Sequence, residues 1–536
     1  MKVNSGKSAL LVRLGLPITA VVFVMALALW TPSTYLANTH THQQKPKLNI
    51  GKLNRDARKH IREGRFEEAL GIYRELLEAD ANDVQARLGA SFVHYKLQEY
   101  VGSFNQAMEV LKGDVNNAHA HALVGVSLLR SGLVADAVIE LQRAINLDGK
   151  DALAYGGAAE VDYYEGRPKE ARLKSFYAHH LDPDEPDYLI TYARASSRVE
   201  DFKEAADAYQ IYLEVAPIND TERRDRIHGL IQFYRQLSGL QVHQMSGPSI
   251  TESSFRLGAD RRPYIRVKLN GRDALFVIDT GSGFTVISKE AAKRFGVSEI
   301  ARGGKSQGVG GTGQFPIVYG LIKSIQIGEA RVKMIPCFIR PFHGNPERAA
   351  EDRADGFIGL SILSHFLTEL DYKESRIRLD RSENRTSPTA TPGGALIPFR
   401  TTQNGLISVE SEFDGNQHLN VILDSGASST VISSAAVGRL KLTDQIIKGQ
   451  TTSVVGAAGV SDNVQLLFLR KCRVAEVQQN NLRALVLDFN AINETSGFEQ
   501  SGILGGDFLR NFNLTIDFSR SLLALKLHTP TDDNHQ

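Results

Sequence analysis

The sequence predicts a multidomain chain: an all-α repeat solenoid, then two all-β lobes that are copies of one fold and pair as an internal pseudo-dimer. Three observations predict it. Small residues recur at one fixed period through the first half. After about residue 258 apolar alternation and punctuating glycines replace helical periodicity. Two stretches of that β-rich region then match each other landmark by landmark.

The repeats occupy residues 53–217. Ala69, Ser103, Ala137, Ala171 and Ala205 follow one another at a constant period of 34. A second small residue, Ala57, Ser91, Gly125, Ala159 or Ala193, stands at the same offset ahead of each. Small side chains at two points per period let paired antiparallel helices approach closely and stack on the next pair. Gly64, Gly132 and Gly166 share one turn position, and Pro183 and Pro217 end the fourth and fifth units. Five units at this period resemble tetratricopeptide repeats. The large residues vary between units, with Ala107 and Ser175 where Tyr73 and Tyr209 stand. Such solenoids present a concave surface, so a protein partner on the repeats is expected, with a simple spacer as the alternative. Residues 218–257 are expected to form a capping helix (DTERRDRIHGLIQFYRQL) and then a linker (VHQMSGPSITESS).

The lobes are placed at 258–380 and 395–528, joined by the Ser/Thr/Pro/Gly connector 381–394 and followed by a tail, 529–536. FVIDTGSGFTVIS (276–288) aligns with VILDSGASSTVIS (421–433), and DGFIGLSILSHF (355–366) with SGILGGDFLRNF (501–512). The interval from Asp279 to Gly359 matches that from Asp424 to Gly505 to within a single position. Asp371 and Asp517 then follow those glycines at identical distance along the chain. Spacing kept over such a length implies one fold used twice.

Each copy carries an Asp-Thr/Ser-Gly loop between apolar strands, which would hold the Asp rigidly. Gly281 and Gly426 permit a tight backbone, and Thr280 and Ser425 offer hydroxyls able to reach the opposite loop. Gly359 and Gly505, each after two apolar residues, suit packing beneath the Asp loops. Glycine-rich turns, with Gly308, Gly310 and Gly311 in one copy and Gly456 and Gly459 in the other, suit hairpins that close over a bound chain. Symmetry breaks after the loop glycine, at Ser282 and Ala427.

These loops, with the downstream apolar-apolar-Gly element, resemble aspartic peptidases, and the lobe length is closer to the retropepsin type than to pepsin-like lobes. The resemblance implies an active site between the lobes with Asp279 and Asp424 as the catalytic pair, Thr280, Gly281, Ser282, Ser425, Gly426 and Ala427 as supporting loops, and a protein or peptide substrate. Two carboxyls some 3 Å apart cannot both ionise, so one proton is shared and a trapped water is activated between them. Such chemistry needs no metal or cofactor. The alternative from another class is a non-catalytic, membrane-tethered scaffold in which repeats and lobes bind protein partners. In a third reading each lobe is half of an intermolecular dimer.

Composition agrees with this organisation. At 536 residues the chain exceeds one core, and 42% apolar with 23% charged residues is ordinary for globular proteins. A net charge of +1 offers no field to recruit nucleic acid. Cys337 and Cys472 fall in different lobes at non-equivalent positions, which argues against a disulfide, and no Cys/His group has metal-site spacing. His119, His121, His179 and His180 read as surface or packing residues.

Residues 1–37 read as a cytoplasmic N-terminus and signal anchor. Lys2, Lys7 and Arg13 precede an uncharged, mostly apolar run from Leu14 to Trp30. The expectation is membrane contact through residues 14–30, with the bulk of the chain beyond a bacterial inner membrane, in the periplasm. Cleavage after Ala37 would place bulky Tyr35 where a small residue is preferred; secretion after cleavage is the alternative. Residues 38–52 read as a polar tether.

Overall fold

The computed structural model describes residues 48–528 apart from 308–313, 343–352, 387, 389–393 and 458. The apolar run 14–30, the turn glycines Gly308, Gly310 and Gly311, and the tail 529–536 lie outside the described residues. Among the described residues no helix is long and apolar enough to cross a membrane.

Five helical hairpins build the solenoid. They pair α1 (Ile50–Arg62) with α2 (Phe66–Ala79), α3 (Val84–Lys96) with α4 (Tyr100–Gly113), and α5 (Ala118–Arg130) with α6 (Val134–Leu147). Then α7 (Ala152–Tyr164) pairs with α8 (Pro168–Leu181), α9 (Asp187–Arg198) with α10 (Phe202–Val215), and α11 (Thr221–Leu237) closes the series. The first helix begins at Ile50, inside the expected tether. The repeat period carries its own punctuation. Asp83, Asn117 and Asp151 cap α3, α5 and α7, accepting from the backbone N–H of Ala86, Ala120 and Ala154. Gly64, Gly132 and Gly166 turn the chain with φ of +72°, +81° and +75°; Gln98 and Glu200 take the same left-handed conformation at sister positions.

The small residues sit where helices touch. Ala57, Ala69, Ser91, Ser103, Ala137, Ala159, Ala171, Ala193 and Ala205 are fully buried. In the second unit Ser91 Oγ donates to the Ser103 carbonyl at 2.7 Å, so the polar pair is satisfied inside the contact.

Among the described residues two sheets carry the lobes. Strands from both lobes meet in one run, ordered Gly394–Pro398, Leu522–Leu527, Phe512–Asp517, Leu367–Asp371, Arg376–Asp380, Ile250–Leu257. At its centre Leu367 faces Asp517 and Asp371 faces Asn513, so the two lobes exchange equivalent positions across a pseudo-twofold axis. One hydrophobic core runs continuously from Phe255 and Phe276 in the first lobe to Leu423 and Phe508 in the second.

The expected linker after α11 needs correction. Gln244–Ser246 and Ile250–Leu257 are strands, the latter pairing with Arg376–Asp380 and Pro263–Leu269. Its Ser/Thr-rich composition hides an alternation in which Thr251 and Phe255 are buried while Glu252 and Arg256 face out; sheet pairing overrides local propensity. Gly394, expected within the connector, likewise opens a strand against Leu522–Leu527.

The solenoid lies against both lobes. Helix α11 meets the strand Ser298–Gln307 where Gly229 and Gly303 face each other, so closely that a Cβ on Gly229 would lie 2.4 Å from the Gly303 Cα. Phe233 stacks on Tyr319 with centroids 4.3 Å apart. On the other lobe Asn420 Nδ2 donates to the Gly132 carbonyl at 2.9 Å, Arg130 Nη1 donates to the Gly497 carbonyl at 2.7 Å, and Tyr164 packs on Phe498. The contact with the second lobe uses solenoid residues near the turns of the repeats, whereas that with the first uses the face of α11.

Gly229→Val is expected to destabilise the chain by about 1–3 kcal/mol, because the backbone of Gly303 leaves no room for the added carbons. Gly71→Ala, in α2 with open space around it, serves as control and is expected to stabilise by up to about 1 kcal/mol. Denaturant unfolding of both variants measures the difference; equal midpoints would remove the close approach.

Candidate active site

Asp279 follows the strand Arg272–Ile278, and Asp424 follows Asn416–Leu423. Buried apolar runs form both strands, and each lies parallel to a short second strand, Gly356–Ile358 in one lobe and Gly502–Leu504 in the other. The parallel partner fixes the Asp backbone in the same way twice. Asp279 N donates to the Ile358 carbonyl and Asp424 N to the Leu504 carbonyl, both at 3.0 Å. Gly359 and Gly505 follow these strands. A Cβ there would come within 2.2 Å of the Phe284 carbonyl or 2.5 Å of the Ser429 carbonyl, so only glycine lets the segments pass beneath the Asp loops.

The two loops hold each other. Thr280 Oγ1 donates to the Leu423 carbonyl at 2.7 Å and accepts from Ser425 N at 2.9 Å. Ser425 Oγ donates to the Ile278 carbonyl at 2.8 Å and accepts from Thr280 N at 3.1 Å. Both residues are fully buried. The clamp brings each carboxyl onto the glycine of the opposite loop. A Cβ on Gly281 would stand 2.2 Å from Asp424 Cγ, and one on Gly426 2.5 Å from Asp279 Oδ1.

The carboxyls differ in their donors. Asp279 accepts from Gly281 N at 2.9 Å and from the Ser282 hydroxyl at 2.6 Å. Asp424 accepts on one oxygen from Gly426 N at 2.8 Å and Ala427 N at 3.0 Å, with no hydroxyl to match Ser282. Burial pushes the Asp424 carboxyl well above the ordinary carboxylate range, and the charge of Asp279 and a hydrogen bond between the two carboxyls push the same way. This arrangement can keep one proton on Asp424 while Ser282 supports charge on its neighbour.

Of the glycines expected in hairpins, Gly456 and Gly459 pair at the tip of the hairpin formed by Ile446–Gly456 and Gly459–Val474, and Gly459 has φ of +128°. Arg340, which sequence reasoning missed, donates from Nη1 to the Ala457 carbonyl at that tip, at 3.1 Å. Its guanidinium lies among the rings of Phe315, Phe342 and Phe357 and feels the charge of Asp279. A single arginine ending a strand carries no motif, so nothing local marks it. Tyr319 is buried between Phe233 and Phe338. Cys337 and Cys472 are buried free thiols.

A cavity of about 1790 Å³ is lined by Gly281, Ser282 and Arg340 from the first lobe and by Tyr163, Arg194 and Tyr209 from helices α7, α9 and α10 of the solenoid.

Comparison with known proteins bears on both halves. The family model described as aspartyl protease matches residues 265–362 and 409–508, one segment per lobe. Among solved structures, a thermophilic TPR protein of Thermus thermophilus is 19% identical, covering 34% of this chain and 98% of that one, with a TM-score of 0.29. The MamA protein is 21% identical over 31% of this chain and 92% of its own, with a TM-score of 0.22. PilF of Pseudomonas aeruginosa is 16% identical over 35% and 85%, with a TM-score of 0.27. No curated protein matches the chain significantly.

Two outcomes follow from the clamp and the buried carboxyl. Thr280→Val leaves Ser425 N and the Leu423 carbonyl without their buried partner and is expected to cost about 2–4 kcal/mol, with Thr280→Ser restoring most of it in denaturant unfolding. The raised Asp424 carboxyl binds its proton more tightly folded than unfolded, where the value is about 3.9. It therefore stabilises fully below about pH 3.9, and that stability is lost as pH rises through the folded value. Asp424→Asn is thus expected to melt above wild type at pH 7, the gap closing toward pH 4; a gap independent of pH would refute the assignment. The chain is thus a tetratricopeptide-like solenoid followed by two β-rich lobes, each carrying a mirrored, clamped Asp loop within a segment that matches the aspartyl protease model.

Proposed function

We propose that the chain is an aspartic endopeptidase whose pair is Asp279 and Asp424. The observation that carries this reading is the mutual approach of the two carboxyls, each packed on the other loop's glycine. In the proposed reaction Asp279 takes a proton from a water held between the pair, while Asp424 gives its proton to the peptide carbonyl oxygen as the water oxygen bonds to carbon. The tetrahedral species then collapses: Asp279 gives its proton to the amide nitrogen, Asp424 takes one back from a hydroxyl of the diol, and the C–N bond breaks. Ser282, donating to Asp279, supports the charge of the proton acceptor before attack. Arg340 holds the second-lobe hairpin near the cleft through the Ala457 carbonyl.

In the same reading the solenoid receives the protein substrate. Helices α7, α9 and α10 line a cavity that also takes in Gly281 and Ser282, so an extended polypeptide bound to the repeats comes up to the loop that carries Asp279. The run from Leu14 to Trp30 further supports a membrane-anchored chain with its bulk in a bacterial periplasm. Protease accessibility in spheroplasts tests that placement; protection of the lobes would end it.

Hydrolysis of an unfolded protein by wild type is expected to fall at least about 10³-fold in Asp279→Asn and in Asp424→Asn, and to be blocked by a pepstatin-like inhibitor. Equal residual cleavage in wild type and both variants would leave a non-catalytic scaffold. In the same assay Arg194→Glu, on the solenoid wall, is expected to slow cleavage of a long substrate severalfold more than that of a short peptide. Equal slowing would remove the delivery role.

A further inference from the structure

Away from the two aspartates, Glu200, His243 and His365 converge where the solenoid meets the first lobe. One ligand atom from each lies within 4.8 Å of the other two. Glu200 stands in the turn between α9 and α10, His243 leads into the strand Gln244–Ser246, and His365 follows the short helix Leu360–Leu363. The group thus draws one side chain from the solenoid, one from the connection and one from the lobe. All three also line the cavity shared with the cleft.

Ordinary packing leaves part of this group unexplained. His243 Nδ1 lies 3.2 Å from Glu200 Oε1, which accounts for one ring nitrogen. His243 Nε2 is buried with no hydrogen-bond partner among the described residues. An unpaired buried polar atom of this kind is unfavourable, and a group entering from the cavity would satisfy it. The His365 ring lies beside it, centroids 4.6 Å apart and planes tilted by 41°. Glu200 and His243 also hold φ of +60° and +49°, and Glu200 occupies the turn position that is glycine in three sister repeats. That conformation is unfavourable for side chains other than glycine, yet here two of them aim at one point.

We propose that Glu200, His243 and His365 form a site for a divalent cation of the Zn²⁺ class, fastening the solenoid to the first lobe. Two imidazoles and one carboxylate are a donor set that suits such an ion, with remaining coordination supplied by water or by a group entering the cavity. Donors around Zn²⁺ sit about 2.0–2.2 Å from the metal, so loading draws the three side chains slightly together. The site is separate from the Asp pair, so its test does not depend on the peptidase reading.

The full chain, free of any histidine tag and treated with chelator, is titrated with Zn²⁺ by calorimetry and with Co²⁺ by visible absorption. The expected result is uptake of one cation per chain, ligand-field bands from Co²⁺, and a melting temperature raised by roughly 2 °C at saturating Zn²⁺. His243→Ala and His365→Ala are each expected to weaken binding at least about tenfold. Glu200→Gln, at an exposed turn, and His365→Gln provide variants that keep side-chain volume if the alanine changes disturb folding, with near-ultraviolet circular dichroism as the check. No stoichiometric uptake by wild type, or equal affinity in wild type and the folded variants, overturns the proposal.

Discussion

Four hydrogen bonds across the middle of the molecule organise the lobes. The hydroxyls of Thr280 and Ser425 each donate to a carbonyl of the opposite strand and accept the other's backbone N–H. Because both residues are buried, each bond broken strands a polar group away from water, and the loops have no less costly arrangement. The apolar strands leading into the loops give this clamp a rigid base. The glycines that follow keep the space between the loops clear of Cβ atoms, and the carboxyls fill it.

Near symmetry with one break is what separates the two acids. Equivalent backbone bonds hold Asp279 and Asp424, but a hydroxyl at Ser282 serves one and only backbone N–H groups serve the other. Burial and a like charge raise the second carboxyl, so a pair built by duplication acquires distinct partners for a proton. Arg340 adds a cation near Asp279 and at the same time ties the first lobe to the hairpin of the second.

The solenoid belongs to the same construction. Glycines facing each other at 229 and 303 let α11 lie directly on a strand of the first lobe, while Arg130, Gly132 and Tyr164 bond or pack on the second. A repeat domain placed in this way walls a cavity rather than trailing as a separate module. The group of Glu200, His243 and His365 lies on that wall, at the seam.

Much of this was legible in the residues. A period of 34 and its small residues specify helical hairpins, because only small side chains permit the close contacts that stack them. Two Asp-Thr/Ser-Gly loops with matched downstream glycines specify a duplicated fold, because those positions admit no Cβ. The strand Ile250–Leu257 reads as a linker from its residues alone, since its polar composition gains strand character only from its neighbours in the sheet. Tertiary structure alone decided the docking of solenoid on lobes, the position of Arg340, and the meeting of Glu200, His243 and His365. The physical reason is that periodicity and motif spacing record local backbone and packing needs, which repeat along a chain. Contacts between residues far apart in sequence arise once, from the relative placement of whole elements, and leave no local pattern to read.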